Sequence, residues 1–264
     1  MHSIKTSAGL AAPAFAAATL LAATTQAGTV ANWKEFNSGS TNSGLNTNSP
    51  TFGDGSAGNA NSSWIAGQFG PNGAPVSVTL AVGETLTISG GMILTGGVSN
   101  NASEYRFGAF NDGGQFDLNS ASNWTGGWLH QSGTGLFQGR TDGVFISSSG
   151  NASNIGASGS PTGSFDSSST LPYNWSMSIT RDTAGTVDIV SSISGGDGSY
   201  SLTYTKNDQA TSLFTYTAVG VLFGGNSGLD QGQLTNVQYN VVPEPSSLAL
   251  LSLGGLLIAR RRQN

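Results

Sequence analysis

The side chains able to do chemistry are few, and their spacing limits what they could do. Glycoside hydrolysis needs two carboxylates held roughly 5–10 Å apart across a sugar. The glutamates between residues 28 and 242 are Glu35, Glu84 and Glu104. They are too far apart in sequence to share one strand, and Glu84 follows Gly83 in a turn signal. Acyl transfer by a serine needs a histidine base and a nucleophile on a sharp strand-to-helix turn. His130 is the one histidine outside the N-terminal segment, and no Gly-x-Ser-x-Gly sits between an apolar strand and a helix. The chain has no cysteine, which excludes thiol catalysis, disulfides and thiolate-bound zinc.

Two other constellations are better placed. Asn111, Asp112, Asp117 and Asn119 fall in one short loop. Hard oxygen ligands on a flexible loop suit calcium, so Asp112, Asp117 and Asn119 are candidate ligands. The competing reading makes Asp112-Gly113 a turn and Asp117 a solvated side chain. The stretch Asn123-Trp124-Thr125-Gly126-Gly127-Trp128, with His130 and Gln131 beside it, joins large rings to amides. An indole face stacks on a sugar ring while neighbouring amides bond its hydroxyls. Trp124, Trp128 and His130, with Trp64 as a second patch, are therefore candidate ligand contacts. The alternative is that one or more of these rings fill the core, as Trp175 should from its strand alternation.

The elements that must position these residues read as strands. Val76–Val82, Thr85–Ile88, Tyr105–Ala109, Tyr173–Thr180, Val187–Ile189, Tyr200–Tyr204, Leu213–Phe223 and Leu234–Val242 carry apolar residues at alternate positions or in short runs. Period-2 alternation with one polar face marks antiparallel sheets buried on one side. Asn72-Gly73, Ser89-Gly90-Gly91, Asp112-Gly113-Gly114 and Gly195-Gly196 are turn signals between them. Residues 37–63 and 147–169 are Ser/Gly/Asn-rich and read as long loops or loops with one short strand each.

Composition agrees. Only 9% of the 264 residues are charged, and glycine contributes 39. Scarce Lys and Glu disfavour long exposed helices, and 9% aromatic residues are enough to build a core. The expected fold is all-β, a single antiparallel two-sheet sandwich of residues 28–242. This body holds five basic against thirteen acidic residues, a formal charge of −8. That balance excludes nucleic acid as a partner, which needs a basic face.

The ends read as addresses. Residues 1–27 have the form of a signal peptide: Lys5, an Ala-rich apolar run over 8–23, and small residues at Thr25 and Ala27 around a cleavage site. At the other end, Pro243-Glu244-Pro245 is followed by an apolar run over 246–259 and by Arg260, Arg261 and Arg262. The run is about 14 residues, short of the ~20 of a comfortable span. The arginines would hold its far end on the cytoplasmic side. This is a marginal membrane hook with the body outside.

Proline-glutamate-proline, a Leu/Gly-rich segment and a terminal arginine cluster, in that order, resemble a PEP-CTERM sorting signal. The resemblance implies an exported protein of a Gram-negative-type bacterium, destined for the cell surface or extracellular matrix. It also implies transient inner-membrane association and processing by an exosortase-type membrane enzyme. For the body, Tyr105–Asp112, Gly126–Leu129, Trp175–Arg181, Val187–Ile189 and Val219–Phe223 resemble the strands of concanavalin A-like, laminin-G-like jelly rolls. Active glycosidases of that scaffold carry Glu-x-Asp-x-x-Glu on one strand, and this sequence has no such run. The expected function is that of a non-catalytic exported protein associated with exopolysaccharide, a weak carbohydrate-binding module. A passive structural spacer is the alternative, and a glycoside hydrolase a third class.

Overall fold

The computed structural model describes residues 25–37, 40–45, 49–52, 64–71, 73–96, 105–114, 116, 126–131, 136–140, 152–156, 159, 171–196, 200–223 and 229–243. They belong to one compact unit, Thr25–Glu244. Its strands are β1 (Gln26–Asn37), β2 (Ser40–Leu45), β3 (Thr51–Phe52), β4 (Trp64–Phe69), β5 (Val78–Thr79), β6 (Glu84–Gly96), β7 (Tyr105–Asn111) and β8 (Gly126–Gln131). They continue as β9 (Leu136–Arg140), β10 (Ala152–Asn154), β11 (Tyr173–Arg181), β12 (Thr186–Gly195), β13 (Tyr200–Ala210), β14 (Thr215–Tyr216), β15 (Ala218–Phe223) and β16 (Leu229–Pro243). All named pairings are antiparallel.

The ladder runs β10-β9-β8-β7-β15-β4-β1-β16-β6-β11-β12-β13, with β2 on β1 and β3 on β16. It is two layers joined by one strand. Residues 26–29 of β1 pair with β16, and residues 30–36 pair with β4. The change of layer falls at a bulge between Ala31 and Trp33, where Asn32 has φ 53°. A short polar side chain tolerates that left-handed geometry, and the Asn32 amide donates to Gln68 Oε1 at 2.5 Å. Layer A is β3, β16, β6, β11, β12 and β13. Layer B is β2, β4, β15, β7, β8, β9 and β10. The small β5–β14 ribbon pairs Val78 with Tyr216.

The inner faces meet in one core. Phe107 of β7 lies 5.3 Å from Trp175 of β11, and Phe69 of β4 stacks on Tyr239 of β16 at 4.7 Å, ring centre to ring centre. Strand β11 alternates as the sequence predicts: Tyr173, Trp175, Met177 and Ile179 point in, and Asn174, Ser176 and Ser178 point out. Trp33 lies so close to Gly67 that a Cβ there would sit 2.6 Å from its ring. This all-β antiparallel sandwich is the architecture expected from the alternation.

Several elements differ from the sequence reading. Ser89-Gly90-Gly91 is not a turn but the middle of β6, because β11 and β16 pair across it and supply the ladder that the glycines alone would not favour. The single strand expected over Leu213–Phe223 is divided into β14 and β15. Within Val76–Val82 only Val78–Thr79 forms a strand pair, while Val76 N and Leu80 N make single backbone bonds to Phe69 O and Phe214 O. The segment 37–63 contributes β2 and β3, and 147–169 contributes β10.

Candidate functional site

The proposed ring contacts are interior wherever they are described. Trp128 is 4% exposed, and its indole N–H donates to the Tyr216 hydroxyl at 2.9 Å, which donates on to Leu213 O at 3.2 Å. Burial raises the Tyr216 pKa, so the phenol keeps its proton. His130 is fully buried, stacked between Phe107 and Tyr204 at 4.7 and 5.0 Å, with Nδ1 2.5 Å from Ser191 Oγ. Burial pushes its pKa down from 6.5 to about 3, leaving a neutral imidazole. Trp128 and His130 are two residues apart on β8 and so share its inner face. Trp64, 6% exposed, sits in a second cluster with Ala66, Phe110, Phe116, Leu129, Ala218 and Leu222. These residues lie on the outer face of layer B. The expectation that Trp64, Trp128 and His130 form an accessible ligand surface is thus corrected: all three are packing residues. Trp124 lies outside the described residues.

Asp112 closes β7 rather than standing in an open loop. It is buried, and its carboxylate accepts from Thr217 Oγ1 at 2.9 Å, Gly114 N at 2.9 Å and Gln68 Nε2 at 2.8 Å. Its own N–H donates to Thr217 Oγ1 at 2.8 Å. Both oxygens are therefore committed to protein donors. These donors surround the oxygens that a cation would need. Asp117 and Asn119 lie outside the described residues. Among the described residues no three of His, Cys, Asp and Glu come together to hold a metal. Glu84 also serves its own turn, where Oε2 accepts the Ala81 N–H at 2.8 Å.

The accessible polar concavity is elsewhere, on the outer face of layer A. A groove of about 490 Å³ is lined by residues that include Asn174, Ser176, Ser192, Ser194, Thr235 and Gln238. The ladder sets them in two rows across four strands. One row reads Thr235, Gly91, Asn174, Ser194, and the next Gln238, Ser89, Ser176, Ser192. The glycines make the groove. A Cβ on Gly91 would lie 2.3 Å from Thr235 Oγ1, and one on Gly90 would lie 3.0 Å from Trp175 Cζ2. Opposite them, β16 bulges between Thr235 and Gln238, with Asn236 at φ 51°. Trp175, buried in the core, therefore also borders the groove. Its Nε1 has no hydrogen-bond partner among the described residues.

No charged side chain is among the groove's lining residues. The next rows begin with hydroxyls and end on β12 in Val190 and Asp188. Thr87 bonds Ser178 at 2.9 Å, Thr85 bonds Thr180 at 2.8 Å, and Ser176 bonds Ser192 at 2.9 Å. The groove offers hydroxyls and amides as donors and acceptors without a field of either sign. It can hold a neutral polyhydroxylated chain, and it has no group able to transfer a proton near neutral pH. The sequence contained the signal: the outward positions of β11, β12 and β16 beside the groove are serine, asparagine, glutamine and threonine, with Asp188, Val190 and Val242 farther along the same face. Reading Gly90-Gly91 as a turn hid how those strands align.

The decisive comparison concerns the end of the last strand and the residues beyond it. A family profile described as the PEP-CTERM protein-sorting motif matches residues 241–263. The chain carries a PEP-CTERM sorting motif. It marks an exported protein, and its first three residues belong to β16. Glu244, Pro245 and Arg260–Arg262 lie outside the described residues. No curated protein matches the sequence. Among solved structures, lectin II from Ulex europaeus aligns at 9% identity and TM-score 0.47, over 82% of this chain and 97% of the lectin. Arcelin-5, a lectin-like defence protein from Phaseolus vulgaris, aligns at 6% identity and TM-score 0.49, over 83% and 98%. An endo-1,3-beta-glucanase from Streptomyces sioyaensis aligns at 12% identity and TM-score 0.35, over 69% and 70%.

Proposed function

We propose that this PEP-CTERM protein is a non-catalytic component of the bacterial cell surface or extracellular matrix that associates with exopolysaccharide through the outer face of layer A. The observation that carries this reading is the uncharged groove of Ser, Thr, Asn and Gln side chains. A body with formal charge −8 repels anionic polymers. The favoured partner is therefore a neutral glycan, or an anionic one bridged by calcium. Trp124 remains the candidate stacking ring. An exosortase-type enzyme would process the tail after transient inner-membrane association through the apolar run. The burial of Trp64 and Trp128 favours a second reading, a passive spacer of the surface layer.

The test is retention of the secreted protein on the host's own exopolysaccharide, with and without a calcium chelator. Asn174, Asn236 and Gln238 are the groove's exposed amides, and of these Asn174 and Gln238 stand in its two rows. Replacing Asn174 and Gln238 by alanine removes hydrogen bonds worth about 1–3 kcal/mol together, at least roughly fivefold in retention. Trp124→Ala should weaken retention as well. Equal retention of wild type and both variants, under both conditions, sinks the binding reading and leaves the spacer.

A further inference from the structure

The sorting motif is part of the sandwich. Its match begins at residue 241, while β16 runs on to Pro243. Val241, Val242 and Pro243 pair with Leu86, Thr85 and Glu84 of β6, and Val241 also pairs with Gln26 of β1. At Val241 β16 lies between β6 and Gln26, a residue of the segment read as the signal peptide, while Val242 and Pro243 are held by β6 alone. Val241 is buried in the core. Pro243, which has no N–H to offer a further ladder bond, ends the strand.

That end of the sandwich has a defined surface. The Val82-Gly83 turn precedes Glu84, and Gly83 N donates to Arg181 O at 2.7 Å, which brings the end of β11 alongside. Val82 is 56% exposed and Val242 43% exposed. Two of the four large apolar side chains that stand exposed among the described residues are thus found where the motif leaves the fold. The antiparallel pairing of Gln26 with Val241 brings the start of β1 to the same place. Leu248, the first leucine of the apolar run, lies five residues beyond Pro243. At most about 17 Å of chain separates them. An enzyme embedded in the membrane that reads Pro243-Glu244-Pro245 must therefore meet the folded end of layer A.

We propose that the end of layer A bearing Val82, Glu84 and Val242 is a docking surface for the membrane-embedded processing enzyme, which acts on the folded domain rather than on a free tail. This rests on the sorting motif and is independent of polysaccharide binding. The experiment tracks processing of the full-length chain in a bacterium that carries an exosortase system, read as the fraction converted to the shorter form. Val82→Asp places a charge on the surface 161 residues upstream of Pro243, so it leaves the motif's residues untouched. An eight-residue Gly/Ser spacer between Val242 and Pro243 keeps β16 in place through Val242, moves only Pro243 off its pairing with Glu84, and separates the Pro-Glu-Pro triplet from the surface. Both should lower the processed fraction by roughly fivefold or more, as loss of an interface anchor does. Leu171→Asp, on a 53% exposed leucine just before the start of β11, whose other end meets Gly83, should process like wild type. Either Val82→Asp or the spacer variant, melting as wild type does and processed at the wild-type rate, overturns the proposal. So does an equal loss for Leu171→Asp. A separate control, Arg260, Arg261 and Arg262 to serine, should abolish processing. Normal processing of that control would remove the sorting reading itself and the proposal with it.

Discussion

Acidification from pH 7.5 to 5 should weaken the sandwich through one residue, His130. In the folded protein the ring is enclosed by Phe107, Tyr204 and Ser191, and burial holds its pKa at about 3. In the unfolded chain it titrates near 6.5. The unfolded state therefore binds a proton at pH 5 and the folded state does not, so stability falls as pH drops through 6.5 and levels off below 3. The loss at pH 5 relative to pH 7.5 is about 2 kcal/mol. This figure depends on the unfolded value and on the folded one lying well below 5. The chain's other histidine is His2. Urea denaturation at pH 7.5, 6 and 5 measures it. His130→Phe keeps a flat ring in the stack and removes the titration. It forfeits the Ser191 bond equally at each pH, so its stability should be offset downward yet flat across the window. A wild-type loss under about 0.5 kcal/mol, or an equal slope in His130→Phe, would refute the assignment.

Two further outcomes are expected from the same core and its rim. Trp175→Ala should cost about 3–5 kcal/mol in a reversible melt, since the indole fills the space between Phe107 and Gly90; a cost below about 1 kcal/mol would break the register given for β11. Asp112→Ala strands the donors of Thr217, Gln68 and Gly114 and should cost about 2–4 kcal/mol, equally with and without a chelator. Calcium-dependent stabilisation of wild type that disappears in Asp112→Ala would instead make Asp112 a ligand.

How much of this could be read from the chain alone depended on what each residue had to satisfy. Strands β11, β12 and β13 announce themselves, because one face is buried and the other wet, and the alternation of Tyr173 to Thr180 records both. Strands β4 and β8 do not. Each is buried on both faces, since Trp64, Ala66 and Leu129 pack outward into a second cluster while Ile65, Phe69 and Trp128 pack inward. A strand buried on both sides loses its polar beat. Its tryptophans then look like a ring patch beside Gly and Asn, the composition of an exposed sugar site. The same ambiguity misled the reading of Asp112: Asn-Asp-Gly-Gly fits a cation loop and a strand-closing turn alike. Only the partners Thr217 and Gln68, 105 and 44 residues away in sequence, tell them apart.

The two faces of the sandwich have therefore divided their work in a way composition alone would not reveal. The outer face of layer B carries apolar side chains that are buried among themselves. The outer face of layer A is paved with hydroxyls and amides, many already bonded to one another across strands. Cross-strand Thr–Thr and Ser–Thr pairs hold side chains in register at small cost, so a ligand meeting this face does not have to order them first. That lowers the entropic penalty of weak binding. Many copies displayed on one surface would turn weak contacts into firm association. The last strand of this polar layer, β16, is also the one that continues into the sorting motif. The polar face proposed to meet polysaccharide and the start of the sorting motif are thus borne on a single strand.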